Sequence, residues 1–170
     1  MNLALIGFMG AGKTETAKIL GEILDYQIKE TDEEIIKASE FETIKEIFNH
    51  IKELGFRKLE TRVIEQLSDQ NQIIISTGGG AVMNQINMLN LNKNSIIIYL
   101  KTEFETLKKR VAQDYERPLF QDPNKAKKLF KLREPVYEYY AQYIIKTDDL
   151  VPKQVAEQII KKIKAHVSDK

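Results

Sequence analysis

The sequence predicts an α/β protein in three layers, a five-stranded parallel sheet with helices on both faces. Three observations carry that expectation. Short runs of branched apolar residues recur along the chain, and helix-length segments with apolar residues three and four apart separate them. Two of the runs, at 73–75 and 96–99, are continuously apolar instead of alternating. Strand–helix alternation gives a parallel sheet, and strands covered on both faces need no polar side.

Taken in order, the first strand is expected at 3–6, runs into a glycine loop and is followed by a helix at 14–24. A weaker strand at 26–29 precedes helices at 33–48 and 56–67 and a strand at 73–76. Strands at 96–100 and 144–146 alternate with helices at 104–111, 126–140 and 155–163. The segment 113–124, containing Glu116-Arg117-Pro118-Leu119 and Asp122-Pro123, fits neither period. A charged loop of that length inside a compact domain is read as a lid, at about 112–124, with an ordinary surface connection as the alternative.

The 170 residues are enough for one core, so 1–170 is read as a single domain. With 42% hydrophobic and 30% charged residues, the composition is that of a globular chain. Lysine plus arginine (26) nearly balance aspartate plus glutamate (25). No net field is available to hold a nucleic acid or an anionic membrane, and neither partner is expected. The absence of cysteine excludes disulfides and thiolate chemistry, and the two histidines, His50 and His166, are far apart, which disfavours zinc. The opening Met-Asn-Leu-Ala-Leu-Ile-Gly lacks the basic and long apolar regions of a signal peptide, and no apolar run approaches the roughly 20 residues of a membrane span. A cytoplasmic location is expected.

Gly7-Phe8-Met9-Gly10-Ala11-Gly12-Lys13-Thr14 follows a strand and opens a helix, the context that the G-x-x-x-x-G-K-[ST] pattern requires. Glycines let the backbone wrap phosphates with its N–H groups turned inward, and the helix adds its positive N-terminal end. Gly10, Ala11, Gly12, Lys13, Thr14 and Glu15 are therefore the expected ATP-binding set, with Lys13 reaching the β- and γ-phosphates and the Thr14 hydroxyl on Mg²⁺. Ser76-Thr77-Gly78-Gly79-Gly80 also ends an apolar strand. Consecutive glycines bring backbone N–H groups against ligand oxygens, while Ser76 or Thr77 positions a metal-bound water; a tight turn is the alternative. In a parallel sheet both loops leave the carboxyl ends of strands and share one site.

On the acceptor side, Glu30-Thr31-Asp32 follows the second strand. Asp32 is read either as the carboxylate that orients an attacking hydroxyl or, with Thr31, as a helix cap. Arg57 and Glu60 lie three apart on one helix face, and Arg133 stands in Leu132-Arg133-Glu134-Pro135-Val136-Tyr137; solvated helix arginines are the alternative reading.

Together these elements resemble the shikimate kinase family essentially from end to end. The matching residues are the loop at 7–14, Thr31-Asp32, Gly-Phe-Arg-x-x-Glu at 55–60, Ser-Thr-Gly-Gly-Gly-Ala-Val at 76–82, Arg117-Pro118-Leu119, and Arg133 with Pro135 and Tyr137. The resemblance implies the P-loop kinase fold with strand order 2-3-1-4-5, and ATP-dependent phosphorylation of the shikimate 3-hydroxyl with Mg²⁺. It implies substrate-binding helices at about 32–62 and carboxylate recognition by Arg57 and Arg133, with Glu60 holding Arg57. Asp32 would hold the reacting hydroxyl, Gly78, Gly79 and Gly80 would contribute backbone, Arg117 would meet the transferring phosphate, and Arg110 would lie against adenine. Lys13, Asp32 and Arg117 are thus the expected catalytic residues and a monomer the expected state.

This chain has Glu30 where the family usually has an aspartate that joins the magnesium shell through water, so that role stays open. No glycine lies between 113 and 124, and no arginine at 148–152 matches the family's second adenine contact. A kinase for another polyol acid such as gluconate would keep the loop without needing Arg57, Glu60 and Arg133 together. A guanine switch would need Asn-Lys-x-Asp, and Asn92-Lys93-Asn94-Ser95 lacks its acid.

Overall fold

A computed structural model describes residues 1–111 and 122–168. Among the described residues the branched apolar runs form one parallel sheet of β1 (Asn2–Ile6), β2 (Gln27–Glu30), β3 (Ile73–Ser76), β4 (Ser95–Lys101) and β5 (Tyr143–Lys146). Its order is β2-β3-β1-β4-β5. The three inner strands are buried almost end to end, while β2 and β5, at the edges, are partly exposed. That contrast accounts for the continuous isoleucines of β3 and β4 and for the weak apolar signal of β2. Leu5 of β1 and Glu30 of β2 both pair with Ser76 of β3. The loops that follow these three strands therefore open at the same height.

The helices are α1 (Lys13–Leu24), α2 (Thr31–Lys37), α3 (Ile44–Ser68), α4 (Gln85–Asn94), α5 (Phe104–Val111), α6 (Pro123–Tyr140) and α7 (Pro152–Ser168), with a 3-10 turn at Ala81–Met83. α1 packs against α7 and lies on β2 and β3; α3 packs on α2 and α4; α4 and α6 lie along β4. At the centre of the core are Leu3, Leu5, Ile6, Ile74 and Ile75, with Phe8, Tyr99 and Tyr137 beneath the site.

The helix expected at 33–48 is two helices. α2 ends at Lys37, where the Ser39 hydroxyl donates to the Ile36 carbonyl, and α3 starts afresh with the Thr43 side chain accepting from the Glu46 N–H. Short hydroxyl side chains offer the backbone local partners that compete with a continuing helix. α3 then runs on to Ser68, broken only at Lys52. α4 was not expected. Its Gln-Ile-Asn-Met-Leu-Asn-Leu-Asn-Lys-Asn has weak intrinsic helix preference, and packing of Asn87, Met88 and Leu91 into the interior, with Asn84 capping Ile86 N, stabilises it. The end of the expected lid belongs to α6: Asp122 accepts from the N–H groups of Asn124 and Lys125, and Pro123 occupies the first turn. α7 is longer than the expected 155–163 at both ends.

Candidate active site

The glycine loop after β1 is left-handed where the pattern demands it, with φ 83° at Gly10 and 89° at Gly12. Gly12 occupies the N-cap position of α1 and no side chain caps that end, which leaves the first-turn N–H groups for an anion. A Cβ on Gly10 would also come within 2.7 Å of Val111 Cγ2, so helix α5 closes against the loop only because this side chain is absent. Lys13 Nζ donates to the carbonyls of Gly7 (2.9 Å) and Phe8 (3.1 Å), which holds the ammonium in the mouth of the loop.

In front of the loop lies a cavity of about 300 Å³ bordered by Lys13, Thr14, Glu30, Asp32 and Ser76 to Gly79. The Thr77 hydroxyl is committed, donating to the Leu5 carbonyl, whereas Ser76 Oγ is buried with no partner. Glu30 Oε1 is likewise buried and unpartnered. A hydroxyl and a carboxylate oxygen, both buried and unsatisfied at the cavity that Thr14 also borders, fit a hydrated cation, because Mg²⁺ keeps several of its waters and takes few protein ligands. Among the described residues no group of three His, Cys, Asp or Glu could hold a metal ion by itself.

Capping does not account for Thr31 and Asp32. Glu30 occupies the N-cap position of α2, makes no cap bond, and the Thr31 hydroxyl instead accepts from the Gly78 N–H at 2.8 Å. A Cβ on Gly78 would stand 2.9 Å from Asp32 Oδ1, so the aspartate lies directly against the glycine loop. Asp32, Gly78 and Gly79 border the phosphate cavity and a second pocket beyond it.

That second pocket gathers Arg57, Glu60, Arg133 and Gly80, with Ile44, Phe48, Phe56 and Leu129 as apolar walls. One turn apart on α3, Arg57 Nη1 donates to both Glu60 oxygens, at 3.0 and 2.9 Å. Glu60 is 1% exposed and Arg57 28%, so the acid is sunk and the cation faces the space. Burial pushes the Glu60 carboxyl above the ordinary carboxylate range, and the attraction and hydrogen bonds of Arg57 oppose that shift. Arg133 comes from α6 with its guanidinium 5.9 Å from the Phe8 ring centre and its Nε buried without a partner. Burial pulls its pKa below the usual arginine range, Tyr137 opposes this, and repulsion from Arg57 adds to it. The pocket's charges balance, Arg57 and Arg133 against Glu60 and Asp32, but Glu60 is sunk behind Arg57, so both guanidiniums remain as donors for an anionic group of a ligand.

A third cavity, on the other side of the phosphate loop, is bordered by Ala11, Gly12, Glu15 and Arg110, and by Leu150, Val151 and Pro152 as an apolar wall where the expected second arginine is missing. Arg110 is fixed there by donating to the Thr147 carbonyl. Arg117 lies outside the described residues. His50, stacked on Phe41, and His166, against Tyr143, border none of these three spaces.

Sequence reasoning missed several contributors. The sequence marks Thr31 only as a cap or as part of a motif, and Tyr137 only as part of a motif, although the Tyr137 hydroxyl donates to the Gly79 carbonyl one helical turn beyond Arg133. That four-residue spacing was its available signal. The aromatic wall of Phe48 and Phe56, stacked at 4.5 Å, carried no signal beyond ordinary helix apolarity.

Comparison with known proteins agrees with this arrangement. The family model described as shikimate kinase matches residues 9–164. A shikimate kinase of Caldicellulosiruptor bescii is 41% identical over 94% of this chain and 93% of its own length, and one of Hahella chejuensis is 40% identical over 96% and 86%. Among solved structures, shikimate kinase from Acinetobacter baumannii in complex with shikimate superposes with a TM-score of 0.90 at 34% identity, covering 97% of this chain and 93% of that one. Deoxyadenosine kinase from M. mycoides with bound dATP, at 19% identity and a TM-score of 0.68, shares the fold alone. With matched residues spanning both phosphate loops and the pocket of Arg57, Glu60 and Arg133, the chain belongs to the shikimate kinase family.

Proposed function

We propose that the chain catalyses transfer of the γ-phosphoryl group of ATP to the 3-hydroxyl of shikimate, a step in aromatic amino acid biosynthesis. The observation that carries this reading is the position of Asp32, which borders both the cavity at the glycine loop and the pocket of Arg57 and Arg133. A hydroxyl held there faces the phosphate loop on one side while the ligand's carboxylate reaches Arg57 and Arg133 on the other. Phosphoryl transfer needs chiefly positioning and charge neutralisation, so Asp32 acts as the orienting acceptor of the hydroxyl proton. Lys13 supplies positive charge beside the phosphates, and Arg117 is assigned the same task from the lid. Thr14, with Glu30 and Ser76 through water, would hold Mg²⁺, which when bound with the nucleotide neutralises charge on the β- and γ-phosphates. Gly10 to Glu15 cradle the phosphates and Arg110 flanks the base.

The walls favour a cyclic acid over an open-chain one such as gluconate: Ile44, Phe48 and Phe56 offer an apolar surface on which the carbon face of a ring can rest. The three cavities lie along one continuous sheet, which supports reading the chain as a single domain. Among the described residues no helix is long and apolar enough to cross a membrane, and we assign the enzyme to the cytoplasm, where its ATP is supplied.

A coupled ADP-release assay with shikimate, gluconate or no acceptor tests the proposal. Shikimate should raise the rate at least about a hundredfold over no acceptor, and well above gluconate, whose carboxylate can meet the same arginines but whose open chain neither covers the apolar wall nor holds a hydroxyl in place at Asp32. Equal rates with gluconate would remove the assignment of acceptor.

A further inference from the structure

We propose that Asn87 of α4 is a positioning residue for the acceptor pocket, holding Glu60 and the glycine loop together through one side-chain amide. The proposal rests on the reading of that pocket as the shikimate site. Asn87 is fully buried, and its Nδ2 donates to Glu60 Oε2 at 3.4 Å and to the Ala81 carbonyl at 3.1 Å. The Ala81 carbonyl and the ionised Glu60 carboxylate both only accept, so the amide presents its nitrogen to them. Its oxygen is left buried without a partner. An apolar residue would fill this place without that penalty, so a buried asparagine that leaves its own oxygen unsatisfied is explained by the two hydrogen bonds its nitrogen makes.

The charged groups that act on Glu60 are Arg57 on its own helix, Asp32 on α2 and Arg133 on α6. Asp32 repels its charge and the two arginines attract it. Asn87 is the neutral donor on the α4 side, and it lets Glu60 stay ionised without drawing either guanidinium away from the pocket. Once Glu60 is neutral, Arg57 has a competing partner in exposed Glu53, 3.6 Å away. Removing the Asn87 donor therefore weakens recognition of the acceptor's carboxylate, most strongly on the acid side, where Glu60 takes up its proton. Through Ala81 the same amide anchors the segment immediately following Gly80, whose missing Cβ leaves room for the Arg57 guanidinium.

The test compares Asn87→Leu and Asn87→Asp with wild type in the full chain. In Asn87→Leu, KM for shikimate at neutral pH should rise about three- to tenfold, the effect of one hydrogen bond, while KM for ATP stays within twofold. The acid limb of kcat/KM for shikimate should move to higher pH, and the Leu substitution should move it no further in a Glu60→Gln background. An unmoved limb, or an equal shift in that background, overturns the proposal. If Asn87→Leu fails to fold, Asn87→Asp, nearly the same shape, carries the test: a second carboxylate beside Glu60 should move the limb up further, and an unmoved limb again overturns it. Carbon-13 titration of the Glu60 carboxyl, assigned with Glu60→Gln, separates this inference from the choice of substrate. A higher midpoint in the Asn87 variants supports it and an equal midpoint overturns it, even if the wild type proves inactive toward shikimate.

Discussion

Gly78 and Gly80 show how single atoms divide the labour of the site. A Cβ on Gly78 would meet Asp32 Oδ1 at 2.9 Å, and one on Gly80 would meet Arg57 Nη2 at 2.7 Å. Neither glycine has the positive φ that would itself forbid a side chain, so the constraint is the neighbour and not the backbone. Gly78→Ala should therefore act through the orienting carboxylate and lower kcat about tenfold or more, by the cost of a misplaced reactant. Gly80→Ala should act through Arg57 and raise KM for shikimate with a smaller effect on kcat; steady-state kinetics on the two variants checks the split. Glu60 offers a second test. Its raised carboxyl pKa means that the folded chain keeps this proton to higher pH than the unfolded one. The contribution of Glu60 to stability is fully present below the ordinary carboxylate range and is lost as pH rises through the folded value. Glu60→Gln, which mimics the protonated form, should thus be at least as stable as wild type at pH 7, with the difference closing toward pH 4. Urea unfolding at the two pH values measures it. The same variant should bind shikimate less well, because Arg57 loses the charge that aims it.

At the scale of elements, α3 carries Arg57 and Glu60 of the proposed acceptor pocket and also the strained backbone. Lys52 has φ 58° and ψ −178° inside it, a region occupied essentially by glycine, and Gly55 sits where a Cβ would come within 2.7 Å of Ile51 Cβ. The break separates the turns that bring Ile44 and Phe48 over the pocket from those that bring Phe56, Arg57 and Glu60 beneath it. Relief of roughly 1–3 kcal/mol of strain outweighs the roughly 0.5–1 kcal/mol entropic cost of glycine. Lys52→Gly should accordingly stabilise the chain by about 1 kcal/mol in urea unfolding, the lower half of the strain range less that cost. A destabilised variant would show that the conformation is held without strain.

For the whole molecule, parallel register explains why donor and acceptor meet. Ser76 pairs with both Leu5 and Glu30, so the phosphate loop, the acidic turn and the triple glycine leave three adjacent strands side by side. Ligands seated there bridge elements far apart in sequence and should stabilise the fold as a unit. Mg²⁺-ATP at a hundred times its Kd adds about 2.7 kcal/mol, a rise in melting temperature of roughly 5–10 °C for a chain of this size. Lys13→Ala should abolish most of that rise while leaving the rise produced by shikimate, as followed by thermal scans with each ligand. Equal loss of both would mean that Lys13 supports the fold more than the nucleotide.

The sequence by itself determined the sheet strands and the glycine loop, because each has a local cause: continuous apolar runs, glycines at set intervals, a lysine and threonine at a helix start. It also nominated the residues proposed for the site. It left three things undecided. The expected helix at 33–48 breaks because the side chains of Ser39 and Thr43 bond locally, a competition that apolar periodicity does not record. α4 forms against its own propensity because α3 and the sheet cover its inner face, and with it Asn87 reaches Glu60 from 27 residues away. Thr31 is drawn away from capping by Gly78, 47 positions distant, whose N–H donates to its hydroxyl, and Asp32 lies against that same glycine. Only tertiary structure decided the last two, since each depends on a partner far off in the sequence; the helix break has a local cause that apolar periodicity does not record.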